Sequence, residues 1–403
     1  MSALKVRGFR MFLATFMLAM MADNIEHVIS YWVAFQKFHS AALGGFAVVS
    51  HWLPFLLFSV AVGALNDRID TRRLIQAGMV LFMGASAGWG YFFLTDTLTV
   101  GWAMALLVLH GCAGVLWTTS SQMLLYDIVG PTALPSAVRL NATARYLGVL
   151  IGPGIGSIVL RTLGPTRGIF LNALFYLPLM IWLVAAPYGK EKKAKVPRAV
   201  RGIADIVQTI REVRGVPVLA GMLLLAASIS FFIGNSYQAQ MPRFAVDLGH
   251  GDPGASYTAL LGADAAGALL AGLVLEARGG LLPTRPASAI TFSILWAVSL
   301  AGFALVHSYP AALVLLFVAG FFELSSSSIN QTIVQLNAPD AIRGRVLGLF
   351  NMAGAGLRTF SGITVGLVGS VTTPHVSLAV SAGCFVAVTT FLLVRIRAAA
   401  QGS

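Results

Sequence analysis

The sequence predicts an all-α integral membrane protein, with twelve transmembrane helices in two pseudo-symmetric six-helix halves. Three observations carry this. Of the 403 residues, 57% are hydrophobic and 10% charged, with a mean hydropathy of +0.81, which excludes a soluble domain. Twelve apolar runs reach the ~20 residues a helix needs to cross ~30 Å of hydrocarbon. They fall at 11–36, 42–65, 74–94, 100–126, 138–160, 168–187, 217–241, 255–276, 287–307, 311–336, 346–370 and 375–394. The runs are continuous, without the period of two that barrel strands require. Finally, Gly63 and Asp67 recur as Gly272 and Glu276, Pro131 as Pro339 and Gly156 as Gly366. An offset of about 209 residues implies two similar halves, placed at 1–187 and 216–403 and joined by 188–215.

The net charge of +12 follows topology rather than a nucleic-acid partner. Lys5, Arg7 and Arg10, Arg68, Arg72 and Arg73, Arg139, the Lys190–Arg214 segment, Arg278 and Arg285, Arg343 and Arg345, and Arg395 and Arg397 share one side. Only Lys37, Arg161, Arg167 and Arg243 fall on the other. By the positive-inside rule both termini are cytoplasmic. Lys5–Ala22 imitates a signal peptide, but apolar sequence resumes at Val28–Phe35, so an uncleaved first helix is expected. Cys112 and Cys384 sit inside spans at no metal-binding spacing, so neither metal nor cofactor is expected.

Span 1 carries Asp23, Asn24, Glu26 and His27 near its middle. An ionised group at the bilayer centre costs ~3 kcal/mol on insertion scales, so this face looks into protein or water. Asp23 lies one turn from both Glu26 and His27, and the carboxylates are able to titrate as a coupled unit. The alternative is a pair neutralised permanently by a buried arginine. Span 2 holds His51 and Pro54 and ends in Gly63-Ala-Leu-Asn-Asp-Arg-Ile-Asp-Thr-Arg-Arg73. The charges of Asp67, Arg68, Asp70, Arg72 and Arg73 mark where the chain leaves lipid and turns back.

Span 3 has no charge. Its Gly84-Ala-Ser-Ala-Gly88 matches the hydrolase pattern G-x-S-x-G, but lacks the strand–turn–helix setting and reads as helix-packing small residues. Span 4 contains His110 and the polar run Thr118–Gln122, and span 5 contains Arg145. Gly148, Gly152 and Gly156 then form a smooth stripe that admits a close neighbour, with Pro153 permitting a bend. In the connecting segment, Lys190–Lys195 is a solvated basic stretch. From Ala199 to Arg214, Val200, Ile203, Ile206, Val207, Ile210 and Val213 share one helical face, predicting a helix lying on the membrane surface.

Span 7 ends in Asn235-Ser-Tyr-Gln238-Ala-Gln240, and span 8 carries Asp264. Span 10, with Glu323, Ser325–Ser328, Asn330, Gln331 and Gln335, is too polar to face lipid and is expected to line a cavity. Span 11 places Arg358 deep in the membrane, within a turn of where the repeat projects Arg145. Two arginines there either attract an anion or pair internally, one with Asp23 or Glu26 and the other with Asp264 or Glu323. Spans 3, 6, 9 and 12 lack charge and read as lipid-facing scaffold.

The Gly63–Arg73 loop resembles the signature of the major facilitator superfamily, G-x-L-a-D-R-x-G-R-R/K, found between the second and third helices. Gly63, Leu65, Asp67, Arg68 and Arg72 match, while Asp70 replaces a glycine and Thr71 an arginine. The D-R-x-D-R-R form is common in the branch of enterobactin and multidrug exporters. Residues 131–156 are similar to that branch too, and Gly148–Gly156 looks like its antiporter motif, with Ser157 in place of the final glycine. The resemblance implies a monomeric secondary transporter of the bacterial inner membrane. It would export a small molecule by alternating access with proton antiport, gated by the Gly63–Arg73 loop.

Where such exporters carry R-x-x-Q-G in span 4, this chain has Leu107 and His110. The proton-coupling candidates are therefore Asp23, Glu26, His110, Asp264 and Glu323. Cavity candidates are Asn24, His27, Gln122, Arg145, Asn235, Gln238, Asn330, Gln331 and Arg358. Four intramembrane acids against two arginines favour a neutral or cationic amphipathic substrate. An importer, a uniporter or a lysolipid flippase would share the fold, and a hydrolase at Ser86 is the competing class. The chain has no nucleotide-binding loop, which argues against ATP as the energy source.

Overall fold

The computed structural model describes residues 2–39, 41–189, 202–234, 236–249, 255–277, 284–361 and 372–401. Among these, helices account for every regular element. Span 1 is Arg7–Phe38, span 2 Ala41–Asn66 and span 3 Thr71–Thr95. The next helical run, Val100–Leu174, is 75 residues long. Straight, it would measure about 110 Å, more than three bilayer cores. It is broken where Gly130 and Gly164 take φ of +66° and +72°. Each glycine precedes a proline, Pro131 and Pro165, so one helix ends on a left-handed residue and the next begins with a preset φ. Spans 4, 5 and 6 are thereby separated, and Leu177–Ala185 completes span 6.

In the second half, span 7 is Pro217–Phe232, followed by the short helices Ser236–Ala239 and Met241–Asp247. Spans 8, 9 and 10 are Ala255–Ala277, Pro286–Leu305 and Tyr309–Asn337. Span 11 starts as Arg343–Asn351, widens to a π-turn at Met352–Gly356 and resumes at Arg358–Ser361; Pro374–Gln401 is span 12. The fold is the twelve-helix, two-half bundle that the sequence predicts. One apolar core surrounds Phe12, Phe82, Trp117 and Tyr176. The other surrounds Tyr237, Trp296, Phe303 and Phe385, and Val60 and Met123 reach into it across the junction of the halves.

Small residues set how closely the spans approach. A Cβ added at Gly148, Gly152 or Gly156 would lie 2.8, 2.7 or 3.2 Å from Met20 Cγ, Asn24 Cβ or Val28 Cβ. The glycine stripe therefore seats span 5 against the Met20, Asn24 and Val28 edge of span 1. At Gly267 in span 8, an added Cβ would meet the carbonyl of Phe317, with its carbon at 2.7 Å.

The connecting helix, Ile203–Arg214, differs from expectation. It buries Asp205, Thr209 and Val213 and leaves Ile203 and Val207 exposed. Its i, i+4, i+8 row packs on spans 2, 7 and 11, with Thr209 donating to the Asp205 carbonyl at 2.7 Å. Protein contact has thus rotated the buried stripe away from the most apolar one. The basic stretch Lys190–Lys195 and the start of the expected helix lie outside the described residues.

The span 8–span 10 contact yields a test. Gly267→Val should cost about 1–3 kcal/mol by overpacking and lower the thermal unfolding midpoint of the detergent-purified protein. Gly262→Val, where an added Cβ meets nothing within 4 Å, should leave that midpoint nearly unchanged.

Candidate functional site

Span 1 turns its acidic face into the first half. Asp23 and Glu26 are both buried, and their partner is His110 of span 4 rather than an arginine. His110 Nδ1 and Glu26 Oε1 share a hydrogen bond of 2.9 Å. His110 Nε2 lies 2.9 Å from Asp23 Oδ1 but out of line for a hydrogen bond. Ser86 of span 3 donates to the other Glu26 oxygen, and Asn172 of span 6 donates to Ser86 Oγ at 3.4 Å. Ser86 is thus tied to a carboxylate. His27 and His51 close the cluster, their ring centroids 4.7 and 5.9 Å from that of His110. Phe82 stands edge-on to His110 at 4.7 Å, and Tyr176 stacks on Phe82. Several titratable groups therefore sit together behind aromatic walls, where gain or loss of one proton alters the charge felt by all.

The second half holds a matching cluster. Buried Asp264 accepts from Tyr237 Oη at 3.1 Å and from Gln238 Nε2 at 3.2 Å. Glu323 is half-buried, within electrostatic reach of Arg358, Arg145 and Asp264. Among the described residues neither arginine makes an ion pair within 4.0 Å. Arg358 instead lies over the Trp52 ring of span 2 at 4.9 Å, with its Nε buried and unbonded. Arg145 is exposed, 5.9 Å from the Tyr146 ring. The alternative pairing of an arginine with Asp23 or Glu26 is not formed among the described residues.

At the face carrying the charged loop, two pseudo-symmetric contacts latch the halves together. Asp67, at the end of span 2, accepts from the backbone N–H of Gly344 at 2.6 Å and of Arg345 at 3.2 Å, and Arg345 Nε is 3.7 Å away. It caps the N-terminus of span 11, where a carboxylate stabilises by ~0.3–1 kcal/mol, up to ~2 kcal/mol when partly buried. Gly63 and Gly344 permit this approach, since a Cβ at either would overlap the other's carbonyl. Glu276, the counterpart at the end of span 8, binds Arg139 of span 5 at 3.1 Å and accepts from Ser136 at 2.7 Å and Ser2 at 2.8 Å. Arg343 adds a cation–π contact, 3.8 Å above the Tyr126 ring.

The remaining loop charges act within one half. Asp70 caps span 3 and pairs with Arg72 at 2.6 Å, while Arg72 donates to Ala186 O at 2.6 Å. Burial opposes the ionised form of Asp70, but the Arg72 bonds outweigh it and hold the carboxyl below its usual range. Arg68 is half-buried and Arg73 exposed.

Deeper between the halves, Gln122 donates to Asn351 Oδ1 at 3.0 Å, and Asn351 donates to Gln122 Oε1 and Thr119 Oγ1, each at 3.2 Å. Gln122 is therefore a junction residue. Asn24 donates to Met20 O at 2.8 Å and packs on Gly152. Span 10 lines a crevice through Ser328, Ile329 and Thr332, opposite Arg139 and Leu275. Ser325, Ser327, Ser328 and Thr332 donate to carbonyls of their own helix, and Ser326 reaches Ala289 O and Ser293 of span 9. That run is polar because it satisfies itself. Asn330 is buried and Gln331 half-buried; Asn235 lies outside the described residues. Asn172, His51, Tyr237 and Asn351 join the clusters although no motif marked them, and Ser86 joins as a hydrogen-bond donor rather than as the nucleophile its G-x-S-x-G setting suggests. A lone polar residue in an apolar run was the only signal of the first four.

Ionisable groups held in both halves, and halves latched together at one mouth, define a membrane protein that moves solutes. The chain belongs to the Major Facilitator Superfamily, whose sequence profile matches residues 11–362. It is 24% identical over 338 residues to the multidrug efflux pump Tap of Mycolicibacterium fortuitum, covering 81% of this chain and 80% of the pump. It is 24% identical over 353 residues to the enterobactin exporter EntS of Shigella boydii, covering 85% and 80%. The human organic anion transporter MFSD10 superposes with a TM-score of 0.74 at 16% identity, over 96% of this chain and 99% of that one. The Escherichia coli fucose:proton symporter FucP gives 0.75 at 12%, over 96% and 98%. At these identities the solved structures establish the fold alone.

The junction network predicts energetic coupling. Gln122→Ala and Asn351→Ala should each lower the unfolding midpoint, and the double variant should fall short of their sum by a coupling of about 0.5–3 kcal/mol. Simple additivity would show that the network does not join the halves.

Proposed function

We propose that the protein exports a small amphipathic molecule, neutral or cationic, from the cytoplasm of a bacterial cell by alternating access, in exchange for protons. The observation that carries this is the cluster of Asp23, Glu26 and His110, which sets two carboxylates against one titratable ring. Export is supported by the resemblance to Tap and EntS and by the glycine stripe that seats span 5 on span 1 at Met20, Asn24 and Val28. The charge asymmetry supports a cytoplasmic position for the latched face, where the Asp67 and Glu276 contacts would close the cytoplasmic mouth.

Protons and a cationic substrate would compete for the same carboxylates. At 4 Å and an effective dielectric of 20, removing one such charge costs a bound cation about 4 kcal/mol, roughly a thousandfold in affinity. Protonation from outside is thus sufficient to expel the substrate, after which the latch opens and the protons leave inward. Arg358 and Arg145 offset Glu323 in the other half, which keeps the cavity from holding cations too tightly.

Asp23→Asn combined with Glu26→Gln should abolish pH-gradient-driven transport of a lipophilic cation such as ethidium in proteoliposomes and weaken its binding, while exchange of a neutral amphipathic substrate at equal pH persists. Undiminished gradient-driven transport in that variant would remove the cluster from the mechanism. Asp67→Asn weakens the cap on span 11 and should shift molecules toward opening at the cytoplasmic face. A cysteine at Thr332, in a crevice with Arg139 and Leu275, should then be alkylated several-fold faster. An unchanged rate would leave the loop as a topology signal only.

A further inference from the structure

The first-half cluster holds more imidazole than a proton site needs. His27 of span 1, His51 of span 2 and His110 of span 4 each offer a donor atom, and these atoms lie within 4.8 Å of one another. Tetrahedral coordination at ~2.1 Å would set nitrogens about 3.4 Å apart, so rotation of the rings by roughly an ångström closes the site. One ring nitrogen in the cluster, His51 Nδ1, is buried without a hydrogen bond, and His110 Nε2 has only its 2.9 Å ion-pair contact with Asp23. Unbonded buried nitrogens are costly unless something occupies them.

The outer contacts already have the form of a metal site. Asn172 donates to Ser86 and Ser86 to Glu26, and Glu26 engages His110 Nδ1. A ligating histidine characteristically gives its second nitrogen to a carboxylate, which fixes the ring and raises its basicity. His110 has that arrangement, with Nε2 left facing Asp23. Charge points the same way. Two carboxylates beside a single imidazolium leave one uncompensated negative charge in the membrane interior, whereas a divalent ion among three neutral imidazoles and two carboxylates leaves none. Imidazole-rich sites with a carboxylate suit zinc, cobalt, nickel and copper(II), and not magnesium or calcium.

We infer that His27, His51 and His110, with Asp23 as a fourth ligand and Glu26 as the outer carboxylate, form a binding site for one divalent transition-metal ion inside the first half. This goes beyond the exporter reading, shares Asp23, Glu26 and His110 with it, and is tested separately, since equilibrium ion binding is measured without transport.

The test uses full-length protein purified in detergent through a tag without histidine and titrated with Co²⁺. One ion per chain should bind, giving the intense visible absorption of a nitrogen-rich, low-coordinate Co²⁺ site. His27→Ala and His51→Ala should each weaken binding beyond the roughly 10–100-fold that outer partners cost. His27→Gln and His51→Gln, closer in volume and checked by unfolding midpoint, guard against misfolding. His375→Ala, distant in span 12, should leave binding intact. Absence of a saturable Co²⁺ signal, or binding unaffected by His27 and His51 substitutions in folded protein, would overturn the inference.

Discussion

Everything polar in this molecule answers to one constraint: charge inside the hydrocarbon must find compensation within the protein. His110 meets it for Asp23 and Glu26, and doing so draws four spans around one point. Span 1 supplies the acids and span 4 the imidazole; Ser86 of span 3 donates to Glu26, and Asn172 of span 6 donates to Ser86. Spans 3 and 6 are uncharged and show large apolar side chains at the surface, among them Val80, Tyr91, Ile181 and Val184. Each nevertheless turns one short polar side chain inward to the cluster. A helix can be lipid-facing scaffold on most of its surface and a site component at a single residue.

The same constraint shapes the meeting of the halves. Chain ends of helices carry unsatisfied N–H groups, and Asp67 meets those of span 11 across the interface. Glu276 repeats the position in the other half but binds a side chain, Arg139, with two serines. The repeat has conserved where an acid stands while changing what it contacts. An uneven pair of this kind gives the two latches different strengths. Hydrogen bonds at Gln122 and Asn351 continue the junction inward.

Polar content by itself marks span 10 as lining a crevice but does not say which of its groups lack a partner. The serine run of span 10 has the composition of a channel lining, yet hydroxyls one turn from a carbonyl satisfy themselves within the helix. Asp264 and Glu323 on spans 8 and 10 cannot do this, and they gather Tyr237, Gln238 and, electrostatically, the two arginines. Ionisable groups, which need partners beyond their own turn, are the better markers.

By itself the sequence determined the number of spans, the two-half repeat, the charged loop and the acidic face of span 1. These depend on local quantities: apolar length set by bilayer thickness, glycine–proline corners at Gly130 and Gly164, and the one-turn spacing of Asp23 with Glu26 and His27. The tertiary structure alone decided that His110 rather than an arginine answers those acids, that Asp67 caps span 11, and that Arg72 serves its own half. It also turned Asp205 inward on the connecting helix, against the apolar pattern. Which groups pair across helices depends on rotation and tilt, and those are fixed by small-residue contacts summed over many neighbours. A single helix's sequence carries its own polar face but not the identity of the face opposite.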